Sequence, residues 1–196
     1  MKILVATNNS HKVHEYEELL NPHGIEVVTP KSLNIFEDPV EDGDSYEANS
    51  LIKANALAKH SNLPIIADDS GFNVVALDNF PGIYSSRFAS QNGGNITANP
   101  KLIEMLKPFE DKSAFFTCVI TLLNVDSKPL QFKGLCPGYI LDHPKGDAGF
   151  GYDPIFFSIK ANACFGTASE EIKNKYSHRA EAVKQLISYL KDKNLV

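Results

Sequence analysis

The stretch Lys2-Ile3-Leu4-Val5-Ala6-Thr7-Asn8-Asn9-Ser10 opens the chain and sets its fold class. Residues 2–6 are mostly apolar and rich in strand-forming side chains, which predicts a strand. The polar residues 7–10 then predict a turn, and between Lys12 and Leu20 the apolar residues recur at helical spacing. The segment therefore predicts a strand, a polar turn and a helix in succession.

The next part of the chain predicts a second helix and a buried strand. Asp44 and Glu47 have the spacing of a capping box, which predicts a helix that begins there and ends near His60. Residues 64–67 predict a short buried strand that ends at the polar run Asp68-Asp69-Ser70-Gly71. The sequence therefore places the polar and flexible residues 68–71 at the end of a strand.

The second half of the chain predicts that the sheet is mixed. Residues 115–125 and 130–140 are rich in β-branched and aromatic side chains, and the polar residues 126–128 between them predict a long hairpin. In residues 89–100 the composition shifts to Gln, Asn, Gly and Thr, which predicts a mobile connection. Residues 179–191 predict an amphipathic helix whose inward face consists of Ala182, Val183, Leu186, Ile187 and Leu190.

Length and composition exclude several classes of protein. With 196 residues, 43% hydrophobic and 22% charged, the chain is expected to form one globular domain, 1–196. A net charge of -5 argues against nucleic acid or membrane partners, and the absence of a long apolar run or signal peptide favours the cytoplasm. Cys118, Cys136 and Cys164 form no C-x-x-C pair and are interpreted as buried thiols.

The pattern Thr7-x-Asn9-x-x-Lys12 is suited to binding phosphate. A helix that begins directly after a strand presents backbone N–H groups that favour anions, and Thr, Asn and Lys add further donors. The chain contains no G-x-x-x-x-G-K-[ST] pattern, which argues against a P-loop enzyme. The alternative is a Thr/Asn helix cap beside a solvated lysine.

Three carboxylates, Glu41, Asp68 and Asp69, form a candidate magnesium site. Adjacent carboxylates repel one another unless a cation lies between them, and Mg²⁺ binds through one or two carboxylates together with water and substrate phosphates. Asp69 is the candidate general base that activates a water molecule. The alternative for Asp68-Asp69-Ser70-Gly71 is a turn with Asx hydrogen bonds.

The run Gly149-Phe150-Gly151-Tyr152-Asp153, followed by Ser177-His178-Arg179, indicates a site for a planar ligand. Glycines beside an aromatic residue allow the backbone to approach such a ligand closely, because no Cβ stands in the way. Lys53 and Lys173 are candidates to meet a phosphate, or else are solvated surface residues.

Seven blocks of the sequence form an ordered set of motifs. They are Thr7-x-Asn9-x-x-Lys12, Glu41 before Gly43, Asn49 with Lys53-Ala54, Ala67-Asp68-Asp69-Ser70-Gly71, Pro81-Gly82-Ile83-Tyr84-Ser85-x-Arg87, Gly149-Phe150-Gly151-Tyr152-Asp153-Pro154 and Ser177-His178-Arg179. In this order they resemble the Ham1-like family of inosine/xanthosine triphosphate pyrophosphatases. The departures are small, such as Asn8 where the family often has Gly.

The resemblance implies an α/β fold, an elongated mixed β-sheet flanked by helices with two lobes around a central nucleotide cleft, and a homodimer. It implies Mg²⁺ held by Glu41 and Asp69, with Asp69 also activating water and Ser70 contacting the substrate. The implied triphosphate ligands are Thr7, Asn8, Asn9, Ser10, His11, Lys12, Lys53 and Lys173, and the implied purine site consists of Phe150, Gly151, Tyr152, Asp153, His178 and Arg179.

The implied activity is Mg²⁺-dependent hydrolysis of ITP, dITP and XTP to the monophosphate and pyrophosphate, which keeps deaminated purines out of DNA and RNA. Donors from residues 178 and 179 would favour a 6-oxo purine over adenine, since adenine carries an amino group at that position. Two alternatives remain, a pyrophosphatase for other modified nucleotides and a nucleotide sensor without turnover. The presence of both Glu41 and Asp69 disfavours the sensor.

Overall fold

The computed structural model describes residues 1–196. Six α-helices and eight strands follow one another along the chain, with four short 3-10 turns between them. The strands are β1 Lys2–Val5, β2 Glu26–Val28, β3 Ile65–Val74, β4 Phe80–Gly82, β5 Ser113–Leu123, β6 Leu130–Ile140, β7 Phe156–Ser158 and β8 Ala163–Cys164. The helices are α1 Ser10–Leu20, α2 Tyr46–Ala58, α3 Ser85–Gln91, α4 Asn95–Leu106, α5 Glu170–Tyr176 and α6 His178–Asp192.

The strands form one mixed sheet, as the sequence predicts. Their order is β2-β1-β3-β5-β6-β7-β8, and β4 pairs with β3 outside this path. β1 runs parallel to both β2 and β3, whereas β3 with β4, β6 with β7 and β7 with β8 are antiparallel. β5 and β6 are neighbours, in agreement with the predicted hairpin.

The chain divides into two compact units, and the first comprises residues 1–69, 118–134 and 179–196. Successive side chains of a strand point to opposite faces of the sheet, so β1 contributes to two cores. Ile3 and Val5 pack with α1 and α6, whereas Leu4 packs with Ala54 and Leu57 of α2. The first unit is therefore a sheet with helices on both faces.

The inward face of α6 is the one predicted from its periodicity. Five of its apolar residues are at most 6% exposed and belong to the same core as β1 and α1. They are Ala182, Val183, Leu186, Ile187 and Leu190.

The second unit comprises residues 70–117 and 135–178 and has an aromatic core. The ring of Phe72 lies 4.7 Å from that of Phe116 and 5.1 Å from that of Tyr152, measured between centroids. Phe156 packs edge-on against both Phe72 and Phe116. This core lies beneath the loop that carries Tyr152.

β3 is longer than the sequence predicts, because it does not end at the polar run 68–71. It continues through these residues to Val74. Buried carboxylates inside a strand are tolerated when they are paired, and Asp68 and Asp69 both have cationic partners. The polar residues therefore lie in the middle of a strand and not at its end.

Two boundaries also differ from the prediction. Ser45, not Asp44, caps α2, and its side chain accepts from the N–H of Ala48. The segment predicted as a mobile connection instead contains the end of α3 and the start of α4 at Asn95. Asn side chains satisfy backbone groups there, since the amide of Asn92 donates to the carbonyl of Phe88 at 2.7 Å.

The three cysteines are free and buried, as expected. None of the six helices combines the length and apolar character that a bilayer span requires.

Candidate functional site

The loop between β1 and α1 is ordered by its own side chains. Asn9 caps α1, and its Oδ1 accepts from the N–H groups of His11 at 3.0 Å and Lys12 at 3.3 Å. Thr7 Oγ1 accepts from the N–H of Asn9 at 3.1 Å. Asn8, Asn9, Ser10 and His11 are exposed, while Thr7 and Lys12 are half-buried. The loop thus presents a capped helix start to its surroundings, which favours an anion.

Asp68 is fully buried and joined to two cations. Its Oδ2 accepts from Lys12 Nζ and from Arg179 Nη2, both at 3.0 Å. Burial by itself would raise its pKa, but Lys12 and then Arg179 outweigh that effect and hold the pKa well below its usual range. Its other oxygen, Oδ1, has no hydrogen-bond partner. Asp68 is therefore an ionised group that orients two cations.

The guanidinium of Arg179 joins Asp68 to α1. Nη1 donates to Glu15 Oε2 in a short ion pair, and only 1% of the arginine side chain is exposed. Glu15 was not predicted as a site residue, although it is acidic and lies three positions after Lys12 on the same face of α1. Arg179 thus belongs to a buried group of ion pairs with Glu15, Asp68 and Lys12 in the first unit. Its predicted contact with the purine stays a prediction.

Asp69, Lys53 and Glu41 form a second cluster in the first unit. Lys53 Nζ, on α2, donates to Glu41 Oε2 at 2.9 Å and to Asp69 Oδ1 at 3.2 Å. Burial, and then the charge of Glu41, raise the pKa of Asp69 to about 6 even though Lys53 and Lys12 oppose the shift. The carboxylates of Asp69 and Glu41 therefore meet at one ammonium group.

Asn49 connects Asp69 to the loop that carries Glu41. No role was assigned to Asn49 from the sequence. Its amide is 3% exposed, and Nδ2 donates to Asp69 Oδ2 at 3.4 Å while Oδ1 accepts from the N–H of Gly43 at 2.9 Å. A Cβ on Gly43 would lie 2.7 Å from Asn49 Oδ1 and 2.8 Å from the Cβ of Ala48, so glycine favours this approach. Asn49 thereby fixes both Asp69 and the loop that carries Glu41.

These residues fit a magnesium ion that also binds substrate phosphates. No group of three His, Cys, Asp or Glu residues is gathered as a closed metal cage. Mg²⁺ does not require one, because it keeps several waters and binds through one or two carboxylates plus phosphates. Glu41 and Asp69 already provide two carboxylates around one cation, and burial and then the charge of Glu41 raise the pKa of Asp69.

In the second unit, residues 149–153 form a tight loop. Gly149 and Gly151 have φ of +70° and +64°, a region that L side chains rarely adopt. A Cβ on Gly149 would also overlap Asp153 Oδ2. The same oxygen accepts from the N–H of Phe150 at 2.9 Å, so Asp153 closes the loop from inside.

Lys173 lies against this loop. Its Nζ donates to Asp153 Oδ2 at 2.6 Å and lies 4.5 Å from the centroid of the Phe150 ring. The lysine is 6% exposed and Asp153 is 2% exposed, whereas Phe150 is half-buried. Lys173 therefore orients the aromatic ring through a charge contact with its face.

Of the other predicted residues of the second unit, Ser70 is half-buried within β3, and Tyr152 and His178 are buried. The hydroxyl of Tyr152 donates to the carbonyl of Ser85 at 2.6 Å, and its ring stacks on Phe72. The ring of His178 stacks on Phe116 at 4.7 Å. Tyr152 thus anchors the loop to α3, and His178 has a fixed orientation beside the aromatic core.

The structure therefore gathers the predicted residues into two groups. Asp69, Lys53 and Glu41 lie together in the first unit, and the neighbouring Asp68 pairs with Lys12 and Arg179. Phe150, Asp153 and Lys173 are brought together in the second unit.

Comparison with known proteins gives a family model and close relatives. The model described as "Ham1 family" matches residues 3–189. A dITP/XTP pyrophosphatase of Thermoanaerobacter sp. (strain X514) is 40% identical over 97% of this chain and 96% of its own length. One from Lactobacillus acidophilus is 40% identical over 96% of each chain.

Solved structures agree with these matches. The Staphylococcus aureus Ham1 protein superimposes with a TM-score of 0.87 at 36% identity, covering 98% of this chain and 100% of that one. A HAM1 protein from Coxiella burnetii also gives 0.87 at 36% identity, with 98% and 99% coverage.

Proposed function

Because the chain belongs to the Ham1 family, we propose that it hydrolyses non-standard purine nucleoside triphosphates, ITP, dITP and XTP, to the monophosphate and pyrophosphate. Removing these nucleotides prevents their incorporation into DNA and RNA. The observation that carries the proposal is the meeting of Glu41 and Asp69 at Lys53, while Lys12 from the capped start of α1 pairs with the neighbouring Asp68. A cation, two carboxylates and an anion-binding helix start are the groups that this reaction requires.

The reaction breaks the bond between the α-phosphorus and the oxygen that bridges it to the β-phosphorus. A water molecule attacks the α-phosphorus, and Asp69 accepts its proton. Lys53 and Asn49 hold the two oxygens of Asp69 in place for this role. Pyrophosphate leaves with the bridging oxygen, and the nucleoside monophosphate retains the new one.

Mg²⁺, held by Glu41 and Asp69, would neutralise charge on the departing pyrophosphate when it is bound. The donors for the remaining phosphate oxygens are Lys12, Lys53 and the loop residues 7–11, with Ser70 beside them. Lys173 is paired with Asp153 and contacts Phe150, so its proposed role in phosphate binding extends to orienting that ring.

Recognition of the base is assigned to the loop 150–153 with His178 and Arg179. The exposed part of Phe150 stacks against the purine, and donors near residues 178 and 179 pair with its 6-oxo group. Adenine presents an amino group there, and leaving a buried donor unpaired costs about 1–3 kcal/mol, roughly 10- to 100-fold in discrimination.

Pyrophosphate release from ITP, dITP, XTP, GTP, ATP and CTP, with and without Mg²⁺, tests the proposal. We expect Mg²⁺-dependent release from the first three and at least about 10-fold less from ATP. Release from CTP in preference to ITP would indicate that the pyrophosphatase acts on other nucleotides. Tight ITP binding without release would indicate a sensor.

We further propose that residues 1–196 act as one catalytic domain, that the protein forms a homodimer, and that it acts on the cytoplasmic nucleotide pool. Light scattering coupled to size exclusion measures the assembly directly, and a monomeric mass at micromolar concentration would contradict the dimer.

A further inference from the structure

Asn99, on α4, is a buried amide whose side chain reaches the loop 149–153. It is 4% exposed, and its Nδ2 donates to the carbonyl of Gly151 at 3.0 Å. Its Oδ1 accepts from Asn95 Nδ2 at 3.2 Å. Since a carbonyl oxygen accepts and never donates, the contact with Gly151 determines which way the amide of Asn99 points.

Gly151 is the residue of this loop that most needs an external partner. Its φ is +64°, and no atom lies within 4 Å of the place where a Cβ would stand, so contacts at that position do not restrain its backbone. A glycine adopts either sign of φ with similar ease, and the peptide plane that follows it turns easily. The hydrogen bond from Asn99 restrains this plane.

The rest of the loop is fixed by groups on either side of Gly151. The N–H of Asp153 donates to the carbonyl of Phe150 at 3.2 Å, and the N–H of Phe150 donates to Asp153 Oδ2. Tyr152 is anchored through its hydroxyl to the carbonyl of Ser85. The direction of the Gly151 carbonyl is thus determined by Asn99, and Phe150 precedes it directly.

We propose that Asn99 is a positioning residue of the base site, which holds the Gly151 peptide plane and so keeps the Phe150 ring ready to stack on the purine. This inference rests on the proposed function. It assigns a role to part of the polar segment 89–100, to which sequence patterns gave none.

Asn92 provides a matched control in the same segment. It is also an asparagine whose Nδ2 donates to a backbone carbonyl, that of Phe88 at 2.7 Å, and its Oδ1 accepts from Lys101 Nζ. Its bonds stabilise α3 and α4 and do not involve residues 149–153. Alanine at residue 92 or 99 removes one amide-to-carbonyl bond in each case.

The test is calorimetric titration of the full chain, in Mg²⁺ buffer, with inosine monophosphate and separately with inorganic pyrophosphate. For Asn99→Ala we expect the Kd for inosine monophosphate to rise about 3- to 10-fold, the effect of one hydrogen bond, and the Kd for pyrophosphate to stay within about 2-fold. KM for ITP should rise by a similar factor with kcat nearly unchanged, because base contacts are equal in the ground and transition states. Asn92→Ala should leave both Kd values at the wild-type level.

Unchanged binding of inosine monophosphate by a folded Asn99→Ala would overturn the proposal. So would equal weakening of both ligands in the Asn99 and Asn92 variants, which would indicate general destabilisation. If Asn99→Ala does not fold, Asn95→Ala replaces it, because Asn95 is half-buried and its loss releases the amide of Asn99. For this variant we expect a smaller rise in the Kd for inosine monophosphate and no rise in the Kd for pyrophosphate. No rise in that variant would also overturn the role.

The outcomes separate this inference from the proposed function. Wild-type protein that neither hydrolyses ITP nor binds inosine monophosphate would refute the function itself. Wild-type protein that does both, with Asn99→Ala indistinguishable from it, would refute only the role of Asn99.

Discussion

Asp68 and Asp69 are neighbours in sequence, but their carboxylates have opposite surroundings. Asp68 is paired with two cations and its pKa is lowered, whereas Asp69 shares one lysine with Glu41 and its pKa is raised to about 6. Alternation along β3 accounts for the difference, because adjacent side chains point to opposite faces of a strand. Asp68 is therefore neutralised within the fold, and Asp69 is the carboxylate to which we assign the proposed chemistry.

Substitutions at these two residues should have different consequences. We expect Asp69→Asn to lower kcat for ITP by at least about 100-fold, the contribution of a general base, with little loss of stability. Asp68→Asn should instead lower the free energy of unfolding by about 3–5 kcal/mol, because Arg179 and Lys12 lose a buried counter-charge. Steady-state kinetics and urea denaturation of both variants measure this contrast, and near-wild-type turnover by Asp69→Asn would remove it from the mechanism.

Among the secondary-structure elements, α2 positions the carboxylates through Asn49. Asn49→Ala leaves the N–H of Gly43 and one oxygen of Asp69 without this partner. Residues that orient metal ligands typically contribute 10- to 100-fold, so we expect the Mg²⁺ concentration for half-maximal activity to rise at least about 10-fold. Gln131→Ala serves as the control, since the amide of Gln131 also contacts α2 but donates to the backbone carbonyl of Glu47. An unchanged Mg²⁺ requirement in Asn49→Ala would contradict this role.

The loop between β5 and β6 is attached to α6 through Asp126. Its Oδ2 accepts from Tyr189 at 3.0 Å and Lys193 at 3.2 Å, and the N–H of Ser127 and these two groups lower its pKa to about 2. A carboxyl with a lowered folded-state pKa stabilises the protein above its unfolded pKa of about 4, and this contribution is lost as the pH falls toward 2.

Asp126→Asn should therefore be less stable than the wild type at pH 7, with a difference that shrinks as the pH falls from about 5 to 2. Chemical denaturation across this range measures both proteins. A difference that stays constant with pH would mean that the charge of Asp126 is not involved.

For the molecule as a whole, Arg179 joins segments that are far apart in sequence. Its partners Asp68 and Glu15 are 111 and 164 residues away, on β3 and α1, while Arg179 itself lies on α6. All three belong to the first unit. Arg179 thus links the N-terminal, central and C-terminal segments of that unit through its buried ion pairs with Glu15 and Asp68.

We expect Arg179→Ala to lower the free energy of unfolding by about 3–5 kcal/mol, since it removes a buried cation that pairs with Glu15 and leaves Lys12 as the cation paired with Asp68. If Arg179 also reads the purine, the ratio of kcat/KM for ITP to that for ATP should fall in the folded fraction. Thermal denaturation and a two-substrate assay measure the two effects separately. Unchanged stability would show that the buried ion pairs contribute little.

Local sequence patterns were sufficient to predict much of the secondary structure of this protein. The strand, turn and helix at residues 2–20 and the apolar face of α6 were predicted because their periodicity depends only on near neighbours. For the same reason the hairpin strands were predicted at 115–125 and 130–140, and the structure has them at 113–123 and 130–140. The structure pairs Lys53 with Glu41 and Asp69, and the phosphate and magnesium roles of these residues stay predictions.

The tertiary structure decided which polar groups share partners. β3 continues through Asp68 and Asp69 because Lys12, Arg179 and Lys53 compensate their burial, and the segment before Pro100 is helical with Asn99 bonded to Gly151. The stability of a buried charge or amide depends on a partner that the fold brings from far along the chain, 52 residues away for Asn99 and 111 for Asp68, about which local sequence carries no information.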